Sequence, residues 1–141
     1  MGKFVEGIQF AIREQLQKLN LSDHGADKVA ERLHKAISEG GRSADVGMAG
    51  RMLREFIIAH VLSPADIKKL TPYETVQELR KLLIAEWVIC YLNLLHAFGN
   101  EAAHHKTQNT HPSEIDGDDL AICLLAMQRA LAFWLKWRSK K

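Results

Sequence analysis

DDLAICLLAMQRALAFWLKWR, residues 118–138, has the spacing of a core α-helix. Apolar residues recur every three or four positions. Acidic residues stand at the start of the stretch and basic residues at its end, which is the order that the helix dipole favours. The stretch therefore predicts a long helix that packs into a hydrophobic core, through a face made of Leu120, Leu124, Met127, Leu131 and Trp134.

Helical spacing continues through most of the chain, and no run of β-branched residues alternates with polar residues between turn signals. The sequence therefore predicts an all-α fold. We expect an antiparallel bundle of about five helices with short connections. The helices are predicted at about residues 3–19, 27–37, 43–62, 72–98 and 118–138.

The predicted helix at residues 72–98 is the longest, and it is apolar on more than one face. It begins at Thr71-Pro72-Tyr73-Glu74, which has the residues of a capping box with proline in the first turn. Its predicted core positions include Leu79, Leu83, Trp87 and Leu95. A surface this broad predicts burial against several neighbours or against a second subunit, so we expect a homodimer.

The composition is typical of one soluble domain, because 47% of the 141 residues are hydrophobic and 26% are charged. Cys90 and Cys123 lie in apolar helical stretches, which predicts two buried, reduced thiols in a cytoplasmic protein. Charges occur throughout the first 19 residues, and the longest apolar run ends at Glu86. We therefore expect neither a signal peptide nor a membrane span.

The C-terminal stretch WLKWRSKK, residues 134–141, interleaves aromatic and basic residues in a pattern that can stack bases and bind phosphates. However, Trp134 is in register with Leu131 and Met127, which predicts a core position, and the bases suit a helix C-terminus. The whole chain carries a net charge of only +2, from 19 basic and 17 acidic residues. We therefore favour a structural role for this stretch, and any nucleic-acid site must be local.

One dense polar cluster spans residues 96–105, ahead of a polar segment at residues 105–117 that is predicted to be a long functional loop. In a helix, Asn100 and His104 lie one turn apart on the same face. Ala102 and Ala103 are small enough for another helix or a substrate to approach closely. Because histidine transfers protons near neutral pH, we select His96, Asn100 and His104 as the candidate site.

Gly99-Asn100-Glu101-Ala102-Ala103-His104 resembles the GNxAAH signature of a bacterial family of unknown function within the HEPN superfamily. The segment AGRMLRE, residues 49–55, is similar to an earlier helix of that family, and the similarity covers about residues 44–137. Length and composition predict a single domain over residues 1–141. Within it, the resemblance implies that residues 44–138 form a HEPN-like bundle, to which residues 1–42 add further helices.

Active members of the superfamily dimerise and cleave RNA without a metal, and the resemblance implies how the residues would act. An arginine holds the phosphate, and a histidine handles the proton of the 2′-hydroxyl or of the leaving group. Asn100 and His104 match the polar and histidine positions. Gly99 occupies the arginine position, so Arg51 or Arg54 would supply the phosphate-binding guanidinium.

We therefore expect a non-catalytic HEPN-like module that dimerises and binds RNA, a nucleotide or a protein partner in a bacterial defence or toxin–antitoxin setting. One alternative is a metal-independent endoribonuclease that uses His104 with Asn100 and an arginine. The other is a purely structural interaction domain, in which His104 bonds a backbone carbonyl and Asn100 caps a helix. No cofactor is expected, and no metal either, because residues 100–104 lack the first histidine of the HExxH zinc motif.

Overall fold

A computed structural model of the chain describes residues 2–38, 43–62, 70–104 and 117–140, the side chains of residues 43 and 101–104 excepted. No strand occurs in these segments, so the predicted all-α bundle is confirmed. Six helices occupy them: α1 (Gly2–Gln17), α2 (Ala26–Ala36), α3 (Ser43–Val61), α4 (Pro72–Lys81), α5 (Glu86–His104) and α6 (Gly117–Ser139).

Helix α3 lies at the centre of the bundle, where it packs against α2, α5 and α6. Helix α1 packs along α6, so the first two helices share one hydrophobic core with the others. The predicted apolar face of α6 is confirmed, since Leu124, Met127, Leu131 and Trp134 are buried and Leu120 is packed against the core. Core side chains that are fully enclosed include Ile12, Leu33, Leu53, Leu95, Met127 and Leu131.

The prediction of one continuous helix over residues 72–98 is wrong, because the chain turns at residues 82–85 between α4 and α5. Helix α4 ends in a Schellman motif, in which the Ile84 amide donates to the Leu79 carbonyl at 3.1 Å and the Leu83 amide donates to the Arg80 carbonyl at 2.9 Å. Leu83 adopts a φ of 61°, at the position that glycine usually occupies. Its side chain is 90% exposed, so its predicted place in the core is also wrong.

Burial explains how this helix ends without a glycine or a proline. Leu79 and Ile84 occupy the two positions of the motif that form its hydrophobic contact, and both are buried. Across the turn, Nε and Nη2 of Arg80 lie 2.9–3.2 Å from the carboxylate oxygens of Glu86. Burial of Ile84 and this ion pair both favour the turn over continued helix.

The capping box predicted at the start of α4 is confirmed. The Glu74 amide donates to Thr71 Oγ1, and the Thr71 amide donates to Glu74 Oε1, each at 3.1 Å. Hydrogen bonds from the backbone and the side chain of Thr71 hold the pKa of the Glu74 carboxyl below its usual value. Three features of the sequence lie outside the described residues: Gly40-Gly41, which is typical of a helix end, Ser63-Pro64, which is typical of a helix start, and the polar segment up to residue 116.

The two cysteines differ in exposure. Cys123 is buried and free, as predicted, and burial raises the pKa of its thiol to about 12. Cys90 is exposed, so its predicted burial is wrong. The helical spacing placed Cys90 in an apolar stretch, but α5 turns this position away from α3 and α6.

Helix α6 is, among the described helices, the one that is long and apolar enough to cross a membrane by length and composition. Eight of its side chains are buried in the bundle, including Leu124, Leu131 and Trp134. Packing against α1, α3 and α5 accounts for this apolar character. The absence of a membrane span stays a prediction.

Candidate functional site

Helices α3 and α5 approach each other closely at two glycines. A Cβ atom added at Gly99 would lie 2.5 Å from the Cβ of Arg51, and one added at Gly50 would lie 3.0 Å from Leu95 Cδ2. Non-bonded carbon atoms of different side chains do not lie 2.5 Å apart, so α5 can pack against Arg51 only because Gly99 has no side chain. Gly99 therefore has a packing role, which the sequence motif alone did not reveal.

Helix α5 carries His96 and Asn100 one turn apart, and Asn100 is the last residue of α5 whose side chain is described. Asn100 Nδ2 lies 3.2 Å from His96 Nε2, and both side chains are half-buried. With the amide group donating, this ring nitrogen must be unprotonated. The bond fixes the orientation of the imidazole relative to the amide. Asn100 lies inside α5 and not at its end, so its predicted alternative role as a helix cap is wrong.

The neighbouring face of α3 carries Arg51 and Arg54. Arg54 is only 9% exposed, and its buried Nε has no hydrogen-bond partner among the described residues. Arg51 is half-buried and donates from Nε to Glu55 Oε1 at 3.2 Å. Burial lowers the pKa of the Arg54 guanidinium, which nevertheless keeps its charge at any pH at which the protein is folded.

The charges of these arginines act on His96. The pKa of His96 lies below its ordinary value of 6.5, chiefly because burial disfavours the charged ring. The positive charges of Arg54 and then of Arg51 lower this pKa further, and Glu55 offsets part of their effect. His96 is therefore a neutral imidazole at pH 7, next to two permanent cations. We call Arg51, Arg54, His96 and Asn100 the arginine–histidine cluster.

The structure thus brings together four of the five residues selected from the sequence. The backbone of His104 lies in the last position of α5, one turn after Asn100, and its side chain lies outside the described part of the chain. Sequence reasoning missed Glu55 and Gly50. Glu55 could have been found from its spacing of four residues after Arg51, which is the spacing of helical ion pairs.

Within the described segments, no three side chains of His, Cys, Asp or Glu lie close enough together to hold a metal ion. Comparisons with protein-family models, with curated proteins and with solved structures found no match. Membership of the HEPN superfamily stays a prediction that rests on the motif at residues 99–104.

Proposed function

We propose that this chain is a non-catalytic HEPN-like module that binds a phosphate group of RNA or of a nucleotide at the arginine–histidine cluster. The observation that carries the proposal is the Arg54 guanidinium, which is buried without a described partner for Nε. A buried cation that lacks hydrogen bonds costs free energy, and a bound phosphate would supply both the charge and the acceptors.

Each member of the cluster has a role in this proposal. Arg54 supplies the main positive charge, and Arg51 adds a second guanidinium that Glu55 holds in place. Asn100 orients His96 by donating to Nε2, so the neutral ring carries its proton on Nδ1 and can donate it to a phosphate oxygen. A second proton enters at Nε2 when the Asn100 amide turns to present its oxygen instead. Phosphate binding would therefore raise the pKa of His96, because the anion offsets the repulsion by the arginines.

The proposal includes a homodimer that acts in a bacterial defence or toxin–antitoxin setting, with RNA, a nucleotide or a protein as its partner. Leu82 and Leu83 are exposed at the turn between α4 and α5, so this region presents apolar surface to solvent. Sedimentation over a range of protein concentrations tests the assembly. A monomer at high micromolar concentration would contradict the dimer and would leave the phosphate site to be judged separately.

The binding proposal is tested by following the ring signals of His96 by NMR while adenosine monophosphate is added. We expect the signals to shift and the pKa of His96 to rise in the wild type. Arg54→Met should abolish both effects because it removes the buried guanidinium. Arg32→Met removes the same charge from an exposed position on α2 and serves as the matched control. Equal responses in Arg54→Met and wild type would contradict the proposal.

A second candidate is a metal-independent endoribonuclease. The neutral imidazole of His96 beside two guanidiniums favours it, since a proton acceptor and phosphate-binding cations are the groups that this chemistry needs. RNA cleavage is measured with a chelator present, in the wild type, His96→Ala and His104→Ala. Catalysis predicts a loss of about 10²–10⁴-fold in the variant that lacks the proton-transfer group.

The two assays together separate the alternatives. Phosphate binding without cleavage supports the non-catalytic module. Cleavage that depends on His96 or His104 supports the endoribonuclease. If neither binding nor cleavage is observed, the results support the structural interaction domain.

A further inference from the structure

A second candidate binding site lies on the face of α5 opposite the arginine–histidine cluster. It is a groove of about 560 Å³ between the C-terminal end of α1, the start of α5 and the C-terminal half of α6. Trp87 lines the groove, and His96 follows it by nine residues, which is about half a turn away around a helix. The groove and the arginine–histidine cluster therefore face in different directions.

Aromatic side chains form much of the groove. Trp87 of α5 is 46% exposed, and the guanidinium carbon of Arg129 lies 4.9 Å from the centre of its ring. On α6, the rings of Phe133 and Trp137 are 5.7 Å apart and inclined by 35°. Three aromatic rings and one guanidinium plane thus line one groove, and each of these groups stacks on nucleic-acid bases.

Basic side chains supply the remaining charge. Lys18 follows α1, Lys136 and Lys140 come from the end of α6, and Arg129 lies about two turns earlier on α6. None of the described residues that line the groove is acidic. The charge of the groove is therefore positive, in a chain whose net charge is only +2.

The helix dipole explains only part of this arrangement. Lys136 and Lys140 complement the C-terminus of α6, as the sequence predicts. Lys18 lies at the C-terminus of α1, where the same explanation applies, but Arg129 lies inside α6 and Trp87 comes from a different helix. An acidic peptide would satisfy the cations but would leave the planar surfaces unused. A single strand of nucleic acid has phosphates that pair with the cations and unpaired bases that stack on the planar surfaces.

We propose that this groove binds a short segment of single-stranded nucleic acid, with bases against the aromatic rings and phosphates against the lysines. The proposal does not rest on the arginine–histidine cluster. It assigns a function to the basic and aromatic C-terminal stretch, for which the sequence favoured a structural role. Trp134, the other tryptophan of that stretch, is buried and remains a core residue.

The test is the binding of a labelled octamer of uridylate RNA to the full chain, followed by fluorescence anisotropy and by quenching of tryptophan emission. Trp87→Ala should raise Kd about fivefold or more, since a stacked base is lost. Trp87→Phe keeps a ring and should restore most of the affinity. Tyr73→Ala removes an exposed ring from α4 and is the matched control.

The charged part is tested by the dependence of affinity on salt. The binding constant K falls as salt rises, so the slope of log K against log salt is negative. The double variant Lys136→Gln with Lys140→Gln should make this slope shallower by up to about 1.4, at roughly 0.7 for each phosphate contact. The control is Lys28→Gln with Arg32→Gln, which makes the same change in charge on the exposed face of α2. We expect this control to match the wild type.

Three results would overturn the groove proposal. They are equal losses in the groove variants and the control variants, equal affinity for a duplex of the same length, and equal affinity for free uridine monophosphate. In the Arg54→Met background, which lacks the buried guanidinium of the arginine–histidine cluster, Trp87→Ala should raise Kd by the same factor as in the wild type. The groove and the arginine–histidine cluster can therefore fail or succeed independently.

Discussion

Gly99 of α5 lies directly against Arg51 of α3, so closely that a Cβ atom at Gly99 would be 2.5 Å from the Cβ of Arg51. The backbone of α5 therefore packs on the stem of the arginine, and this contact sets how far apart the two helices lie. Arg54 is one turn further along α3, and His96 is about one turn earlier on α5. The arrangement of the arginine–histidine cluster thus depends on a glycine that carries no functional group.

Gly99→Ala should lower the free energy of unfolding by about 1–2 kcal/mol, because overpacking costs more than the gain in helix propensity. Gly7→Ala is the matched control, since a Cβ at Gly7 of α1 meets no atom within 4 Å. This control should raise the free energy of unfolding by about 0.5–1 kcal/mol. Urea denaturation measures both. Stabilisation by Gly99→Ala would contradict the close packing.

Arg54→Met should raise the pKa of His96, because Arg54 lowers this pKa more than Arg51 does. Arg51→Met should raise it less, since Arg51 has the smaller effect on the ring. The pKa stays below 6.5 in both variants if burial is the main cause. An NMR titration of His96 gives all three values. An unchanged pKa in Arg54→Met would show that the guanidinium does not act on the ring.

The lowered pKa of His96 also makes stability depend on pH. Below pH 6.5 the unfolded chain protonates this histidine more readily than the folded chain does, so stability falls as the pH falls. His96→Gln should make the free energy of unfolding less dependent on pH between 7 and 5. Urea midpoints at several pH values test this. A dependence as steep as in the wild type would assign it to other groups.

Leu83→Gly should raise the free energy of unfolding by about 0.5–1 kcal/mol, because it relieves a left-handed backbone and removes an exposed side chain. Leu83→Ala keeps the backbone strain and should change stability by less than about 0.5 kcal/mol. Leu124→Ala, in the core, should instead cost about 2–5 kcal/mol. A loss of about 2–5 kcal/mol in Leu83→Ala would show that Leu83 is a core residue.

The pair of Asp23 and Arg138 should contribute stability that is lost in acid. Arg138 Nε and Nη2 donate to the two carboxylate oxygens of Asp23 at 2.9 and 3.1 Å, and these bonds lower the pKa of the carboxyl below 3.8. The stabilisation is therefore present above pH 3.8 and disappears as the pH falls through the folded pKa.

Thermal unfolding of Asp23→Asn, Arg138→Gln and the double variant forms the test of this pair. We expect each single variant to have a lower Tm at pH 7, with a smaller loss in acid, and we expect the two effects not to add. Additive effects would show that the two side chains act separately.

The helices of this fold can be predicted from the sequence because their apolar spacing matches what they bury. The turn at residues 82–85 could not be predicted in this way. Leu82, Leu83 and Ile84 continue the apolar pattern of α4, and no glycine or proline marks the end. The turn depends on burial of Ile84, which is a tertiary feature, and on the ion pair between Arg80 and Glu86, which does not have the spacing of a helical pair.

The candidate site could be predicted only in part for a similar reason. The polar cluster at residues 96–105 pointed to His96 and Asn100, and helical spacing placed Asn100 one turn from His104. That Arg54 is buried beside them depends on the close contact of α3 with α5, which spacing along one helix does not report. The groove joins Lys18, Trp87 and Arg129 from three helices, so its residues are distant in the sequence.

Helix α4 is attached to the rest of the bundle by few buried groups. Among its side chains only Thr75 and Leu79 are buried, and its contacts are mainly with α5. Such a helix can unfold locally while the core stays intact. Its amide hydrogens should exchange with solvent much faster than those of α3, and limited proteolysis should cut near Leu83 first. The left-handed turn thus separates α4 from α5, and these two helices open at different free energies.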